Sequence, residues 1–219
     1  MERRSLPVRH RDDPAAAGLR VARVAARTCQ LGPGARAVVW VQGCALRCAG
    51  CVVPESHARG GQKRTVDDIA ERLLSFDAVL DGLTISGGEP MLQAAQLLPL
   101  IAVLRQNRPA WTAMLYTGYR LELLRSRGTE TQRALLDAVD IVVDGPFVQR
   151  LSEPRVRWRG SANQRIHAVS VAGSRALEPY DLDEPSGWEM TSVGGVISWT
   201  GIPPAGLRDA EQALLGAQP

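Results

Sequence analysis

Three cysteines fall within eight residues, Cys44-Ala45-Leu46-Arg47-Cys48-Ala49-Gly50-Cys51, directly after the apolar run Ala37-Val38-Val39-Trp40-Val41. A C-x3-C-x2-C spacing puts three thiolates on one side of a tight loop, with no fourth cysteine nearby. Three thiolates hold three irons of a [4Fe–4S] cube and leave the fourth iron open to a small ligand. Iron–sulfur clusters held by four cysteines have no such vacancy, so three ligands point to chemistry at the free iron. The same thiols with His57 make a Cys3His set, which structural zinc accepts. The loop alone leaves both readings standing.

The second chemical feature is Ser86-Gly87-Gly88-Glu89-Pro90, after the short apolar stretch Leu83-Thr84-Ile85-Ser86. Two glycines allow close approach of the backbone to a ligand, and a glutamate beside them can accept from an ammonium group. A plain strand-to-helix turn, with Pro90 at the first helical position, explains the same residues. Asp144, in Val143-Asp144-Gly145-Pro146-Phe147, and Tyr116-Thr117, in Tyr116-Thr117-Gly118-Tyr119, are further polar groups that follow apolar runs.

Elements must position these groups. Leu19–Val24 and Ala37–Val41 read as strands, separated by the turn Gly32-Pro33-Gly34. Thr65, with Asp68 three residues on, caps a helix that places Ile69, Leu73 and Leu74 on one face. A strand at Leu83–Ser86, a Leu-rich helix over Met91–Arg105 kinked at Pro99, and a strand at Thr112–Tyr116 follow. Leu121–Leu136 is helical with a break near Gly128, and Val139–Val143 is a further strand. Alternating short strands and helices predict an α/β fold with a parallel sheet covered by helices, whose ligands bind at the carboxyl ends of the strands. Ile166–Val171 reads as a strand, Leu177–Trp188 as an acidic loop, and Val193–Thr200 as a strand ended by Pro203-Pro204. Residues 1–18 are expected to be a mobile charged tail, residues 19–175 the core, and residues 176–219 an extension with one strand.

The chain has 219 residues and a formal net charge of +3. Lys63 is its single lysine, and its arginines are spread and balanced by acids, which excludes a nucleic-acid footprint. Four cysteines, three of them within one loop, suit a reducing compartment better than a disulfide scaffold. Neither a signal peptide nor a membrane span is legible, so a cytoplasmic protein is expected.

Taken in order, the glycine turn, WVQGC with its cysteine loop, Pro54-Glu55-Ser56, GGEP, YTGY, VDGPF and Gly160-Ser161-Ala162-Asn163-Gln164-Arg165 resemble the radical S-adenosylmethionine (SAM) enzymes, and within them the activating proteins of anaerobic ribonucleoside-triphosphate reductase. The resemblance runs from about Leu19 to Arg165. It implies a partial, open (β/α) barrel, a [4Fe–4S] cluster on Cys44, Cys48 and Cys51, and SAM held through its methionine end by Gly87, Gly88 and Glu89. It further implies that Tyr116, Thr117 and Asp144 line the rest of the SAM pocket. The implied activity is reductive cleavage of SAM and generation of a glycyl radical on a partner, with a low-potential donor such as flavodoxin. Gly50 stands where many radical SAM enzymes carry an aromatic residue, leaving the adenine contact to another residue, Val52 or Val53 among the candidates. Two rivals share parts of the pattern: a radical SAM enzyme acting on a peptide or small molecule, and a non-catalytic zinc module. Of the remaining residues, Cys29 is expected to be a small buried apolar side chain and His57 a surface histidine. Asn163 and Arg165 are expected either to bind substrate or to tie a loop to the sheet. Trp158, among Arg155, Arg157 and Arg159, reads as a docking patch or a solvated edge strand.

Overall fold

The computed structural model describes residues 18–76, 79–152, 156–185, 187–193 and 196–201. The tail up to residue 17 and Pro203-Pro204 therefore lie outside the described residues. Seven strands form one sheet in the order β3-β1-β2-β4-β5-β6-β7. They are β1 (Leu19–Thr28), β2 (Arg36–Val41), β3 (Gln62–Arg64), β4 (Gly82–Gly87), β5 (Thr112–Thr117), β6 (Ile141–Asp144) and β7 (Arg165–Ala168). β2, β4, β5 and β6 run parallel, whereas β1, β3 and β7 pair antiparallel to their neighbours. The sheet is thus mixed rather than parallel throughout, and it is not closed: β3 and β7 are its edges.

The parallel strands are buried on both faces, which is why they read as continuous apolar runs. β2 is buried at all six positions. Its Ala37, Val39 and Val41 join Leu83 and Ile85 of β4 and Ala113 and Leu115 of β5 in the larger core. Against that face pack α1 (Val66–Leu74), α2 (Ala94–Asn107) and α4 (Glu130–Ala138). Local chemistry starts each helix where the sequence places it. The Thr65 hydroxyl accepts from the Asp68 N–H while the Asp68 carboxylate accepts from the Thr65 N–H. Thr129 and Gln132 form the same reciprocal pair and so divide α3 (Leu121–Arg127) from α4. Each such cap contributes about 1 kcal/mol. Pro90 opens a 3-10 turn, Pro90–Gln93, and Pro99 is accommodated inside α2.

On the opposite face, Met114 and Tyr116 of β5 and Ile141 and Val143 of β6 pack with Trp158, Tyr180 and Leu182. Trp158 is neither a docking patch nor a solvated edge: it is 5% exposed and meets Tyr180 edge-on at 4.9 Å. Arg36 lies on this face too, fully buried, and among the described residues no carboxylate forms a salt bridge with it. Its guanidinium donates to Thr84 Oγ1, Thr112 Oγ1 and the carbonyls of Pro33, Leu83 and Thr112 at 2.7–3.0 Å. Burial pushes its pKa down to about 10, so the charge survives at neutral pH. A fan of five acceptors satisfies all five donors of a guanidinium.

Beyond β7 the structure departs from the sequence reading. Val171–Leu177 is a helix, α5, capped by the Ser170 hydroxyl, so the strand before it ends at Ala168. Trp188–Val193 is a strand, β8, which pairs with β9 (Val196–Gly201) as a hairpin. The hairpin is tied to β1 by Glu189, which accepts from the Thr28 hydroxyl and the Cys29 N–H, and by Arg23, which donates to the Trp199 carbonyl. Cys29 is exposed, not buried, because its peptide N–H rather than its side chain meets the hairpin. Short segments with mixed polarity gave too weak a period to separate helix from loop here.

Candidate functional site

The cysteine loop leaves β2 through Gln42 and Gly43. Gln42, 8% exposed, donates its side-chain amide to the carbonyls of Glu55 and Ala58, cinching the two ends of the loop. The Gly43 N–H donates to the Ser56 carbonyl at 2.8 Å and the Cys44 N–H to the His57 carbonyl at 3.3 Å. Inside the loop the backbone turns at two left-handed residues, Arg47 (φ 47°) and Gly50 (φ 69°). Cys51 N–H then closes back on the Cys48 carbonyl at 3.2 Å. All three cysteines are free and half-buried. Burial pushes the Cys51 thiol up, and the nearby Cys48, Cys44 and Glu55 add to the rise while the Val53 N–H opposes it.

Three cysteines supplied by one loop, with no fourth cysteine beside them, are a donor set that fits a [4Fe–4S] cluster with one iron left open. Among the described residues, no three His, Cys, Asp or Glu side chains are grouped closely enough to hold a metal ion, so side-chain placement favours neither the cluster nor zinc. His57 is half-buried rather than on the surface: its carbonyl accepts from Cys44 N–H, and its ring Nε2 is buried with no hydrogen-bond partner among the described residues.

The glycine turn is built onto the base of this loop. Gly88 N–H donates to the Val41 carbonyl at 2.8 Å, and Glu89 N–H to the Gly43 carbonyl at 2.9 Å. Gly87 has φ +98°, a conformation that suits glycine, and a Cβ there would sit 2.5 Å from the Val41 carbonyl oxygen. A Cβ on Gly88 would lie 2.3 Å from the Gly43 carbonyl oxygen. The two motifs are therefore one unit, with the glycines absent of side chains because backbone occupies the space.

Glu89 is 1% exposed, and the chain itself uses most of its accepting capacity. Its Oε1 accepts from Met91 N–H at 2.9 Å and Thr117 Oγ1 at 2.8 Å, and its Oε2 from Gly118 N–H at 2.8 Å. A carboxylate offers about four acceptor positions, so about one remains. Burial raises its pKa to about 7 against those three donors. Thr117 thus belongs with Glu89. The cysteine loop reaches the same place: a Cβ on Gly118 would stand 2.2 Å from Leu46 Cδ1.

Tyr116 and Asp144 do not join that cluster. Successive residues of a strand face opposite ways, and Tyr116 turns to the smaller core, where its hydroxyl donates to the Trp158 carbonyl at 2.7 Å. Asp144 is fully buried and already occupied: it accepts from Leu121 N–H at 2.7 Å and from Arg165 Nε at 3.0 Å, with His167 Nε2 at 3.1 Å. Burial opposes its charge, yet Arg165, the Leu121 N–H and His167 together hold its carboxyl below the usual aspartate range. Arg165 also pairs in two-pronged fashion with Glu122, at 2.7 and 2.8 Å. Asn163 donates to the Pro146 carbonyl at 2.8 Å. Of the two roles open to Asn163 and Arg165, the structure supports tying the last strand and its loop to the sheet.

Sequence reading missed two residues. Gln93, 9% exposed, accepts from Arg20 N–H and donates to the carbonyls of Arg20 and Gln42, so it clips the turn after Glu89 to β1 and β2. Gln149 lies across Gly50, its Cδ 2.5 Å from where a Cβ would be. A glutamine carries no sequence signal for either contact.

A sequence model of the 4Fe-4S single cluster domain matches residues 30–167. The chain is 34% identical over 146 residues to the anaerobic ribonucleoside-triphosphate reductase-activating protein of Vibrio cholerae, a match that covers 64% of this chain and 92% of that one. The proteins of the same name from Haemophilus influenzae and phage T4 are 35% and 33% identical, over 64% and 62% of this chain and 92% and 85% of theirs. The chain belongs to the anaerobic ribonucleoside-triphosphate reductase-activating protein family. As a member of that family it is an activating enzyme, and its cofactors are an iron–sulfur cluster with SAM. The family domain ends at 167, so α5 and the β8–β9 hairpin lie beyond it. Among the described residues no helix is long and apolar enough to cross a membrane.

Proposed function

We propose that the protein is a radical SAM enzyme that installs a glycyl radical on an anaerobic ribonucleoside-triphosphate reductase. The observation that carries this reading is the fusion of the two motifs, Glu89 N–H on the Gly43 carbonyl and Gly88 against the same carbonyl, one residue before Cys44. Cys44, Cys48 and Cys51 are the cluster ligands. Gly87 and Gly88 hold backbone open beside them, and the remaining acceptor position of Glu89 receives the SAM ammonium. Thr117 keeps Glu89 in place, and Tyr116 and Asp144 act from behind, as anchors of β5 and β6. The seven-stranded sheet is the partial barrel of such enzymes. When bound, the reduced cluster and SAM supply one-electron cleavage of the sulfonium and hydrogen abstraction from a glycine α-carbon. The residues around them exclude water and fix orientation, the usual share of the protein in cofactor chemistry. A low-potential donor such as flavodoxin supplies the electron, and the setting is cytoplasmic.

The experiment is anaerobic. Reconstituted protein is reduced and given SAM, and 5′-deoxyadenosine is quantified, with Cys48→Ala as control. Product from the wild type that disappears in the variant supports the reading. Zinc uptake without iron, and no product, overturns it.

A further inference from the structure

A cavity of about 440 Å³ opens where the start of β1, the end of β2, β3 and the first turn of α2 meet. Arg20, Arg59 and Lys63 line it together with Gly43, Leu92 and Gln93, and among the described residues no carboxylate does. None of the three cysteines lines it, nor does Glu89; it adjoins the site described above through Gln42, Gly43 and Gln93 and opens on their far side from the cysteines. Among the described residues, the three cations form no ion pair. Two of them are held in place. Arg20 Nη1 donates to the Arg59 carbonyl at 3.1 Å, and the Gln93 side chain grips the Arg20 backbone on both sides. The Lys63 stem lies across Gly18, where a Cβ would stand 2.8 Å from Lys63 Cγ. Gln96, in the first turn of α2, completes the wall.

Three exposed cations around one cavity complement a ligand with several negative charges. The volume falls in the range of small-molecule sites, about 300–1,000 Å³. Phosphate oxygens suit both guanidinium forks and an ammonium point charge. We propose that this cavity binds a small molecule carrying two or more linked phosphates. Leu92, 51% exposed at the rim, offers an apolar surface for an attached organic group. The shared chemistry is the phosphate chain, whether free or part of a nucleotide.

Lys63, as the single lysine, makes a selective test possible. The full chain is acetylated with a limiting amine-reactive ester in the presence of inorganic pyrophosphate, ATP or adenosine, and modification at Lys63 is read by mass spectrometry. Pyrophosphate and ATP should each slow acetylation at least fivefold, and adenosine should not. Stronger protection by ATP than by pyrophosphate would assign a nucleotide, and equal protection the phosphate chain alone; both support the proposal, whereas no protection by pyrophosphate overturns it. Calorimetry with the same probes should show saturable binding that weakens at least tenfold in an Arg59→Gln/Lys63→Met double variant whose melting temperature is unchanged. A Lys63→Arg variant should retain binding. Absence of saturable binding, equal affinity in the double variant, or displacement of pyrophosphate by SAM would overturn the proposal.

Discussion

Replacing Gly88 by alanine tests whether the glycine turn and the cysteine loop are mechanically one piece. The added Cβ would stand 2.3 Å from the Gly43 carbonyl oxygen and 2.8 Å from its carbon. Both atoms are backbone, so no side chain can swing away. Relief requires the turn to move by about an ångström, which stretches two hydrogen bonds, Gly88 N–H to Val41 and Glu89 N–H to Gly43. At roughly 1 kcal/mol for each bond, the expected destabilisation is about 2 kcal/mol, within the usual range for overpacking. For a chain of this size that lowers the melting temperature by about 4–8 °C. Gly60→Ala is the control, since a Cβ there meets nothing within 4 Å and no left-handed backbone is involved. Melting is followed by circular dichroism, and iron content and 5′-deoxyadenosine are measured on the same samples. Gly88→Ala should retain most of its iron, because the cysteines are untouched, and lose most of its product. A variant that melts within a degree of wild type and makes product at the wild-type rate would refute the steric argument and the coupling built on it.

Three other outcomes are expected. Glu89 titrates near 7 in the folded chain against an ordinary 4.5, so the folded state holds its proton more tightly than the unfolded state does. Stability should therefore fall as pH rises through that window, by about 3 kcal/mol at 1.36 kcal/mol per unit, and Glu89→Gln measured without SAM should lack this slope; parallel pH–melting curves would refute it. Asp144→Asn strips the buried partner from Arg165, which should cost about 3 kcal/mol, at the low end for broken buried pairs because Arg165 is partly exposed. The carboxyl is held below its usual range, so the contribution it makes at neutral pH should fade only in acid, below the ordinary aspartate pKa, a trend that urea titrations from pH 7 to pH 3 would reveal. Gly50→Tyr, which installs the aromatic residue common in similar loops, meets both φ +69° and Gln149, and should destabilise by roughly 1–2 kcal/mol from backbone strain alone; pairing it with Gln149→Ala should recover the steric part and not the strain, as read in denaturant melts.

Much of the frame was legible because several local signals agreed. Thr65 with Asp68 marked the start of α1, the apolar runs marked β2, β4, β5 and β6, and Gly128 marked the break between α3 and α4. The direction of strands was not legible. Antiparallel pairing of β1, β3 and β7 depends on contacts far apart in sequence, and a polar three-residue strand such as Gln62–Arg64 has no period to detect. At the site, the order and spacing of motifs brought out the cysteine loop and the glycine turn. The face of each strand-end residue was harder: Thr117 and Tyr116 are adjacent and look equally suited to a pocket, yet the alternation of β5 sends one to Glu89 and the other to Trp158. Asp144 looked free because its partners, Leu121, Arg165 and His167, arrive from 21 to 23 residues away.

The clasp between β1 and the β8–β9 hairpin has a temporal side. Thr28 and Glu189 are separated by 161 positions, and beyond Val21 the outer side of β1 has no strand partner in β3. At a synthesis rate of about 5–20 residues per second, the newborn chain carries this half-covered strand for roughly 8–32 s before its acceptor has even been made. Such an edge is a template for pairing with another chain. Arg20, Arg23 and Arg27 punctuate it with charge, a guard against self-association during that interval, after which the hairpin closes over the strand.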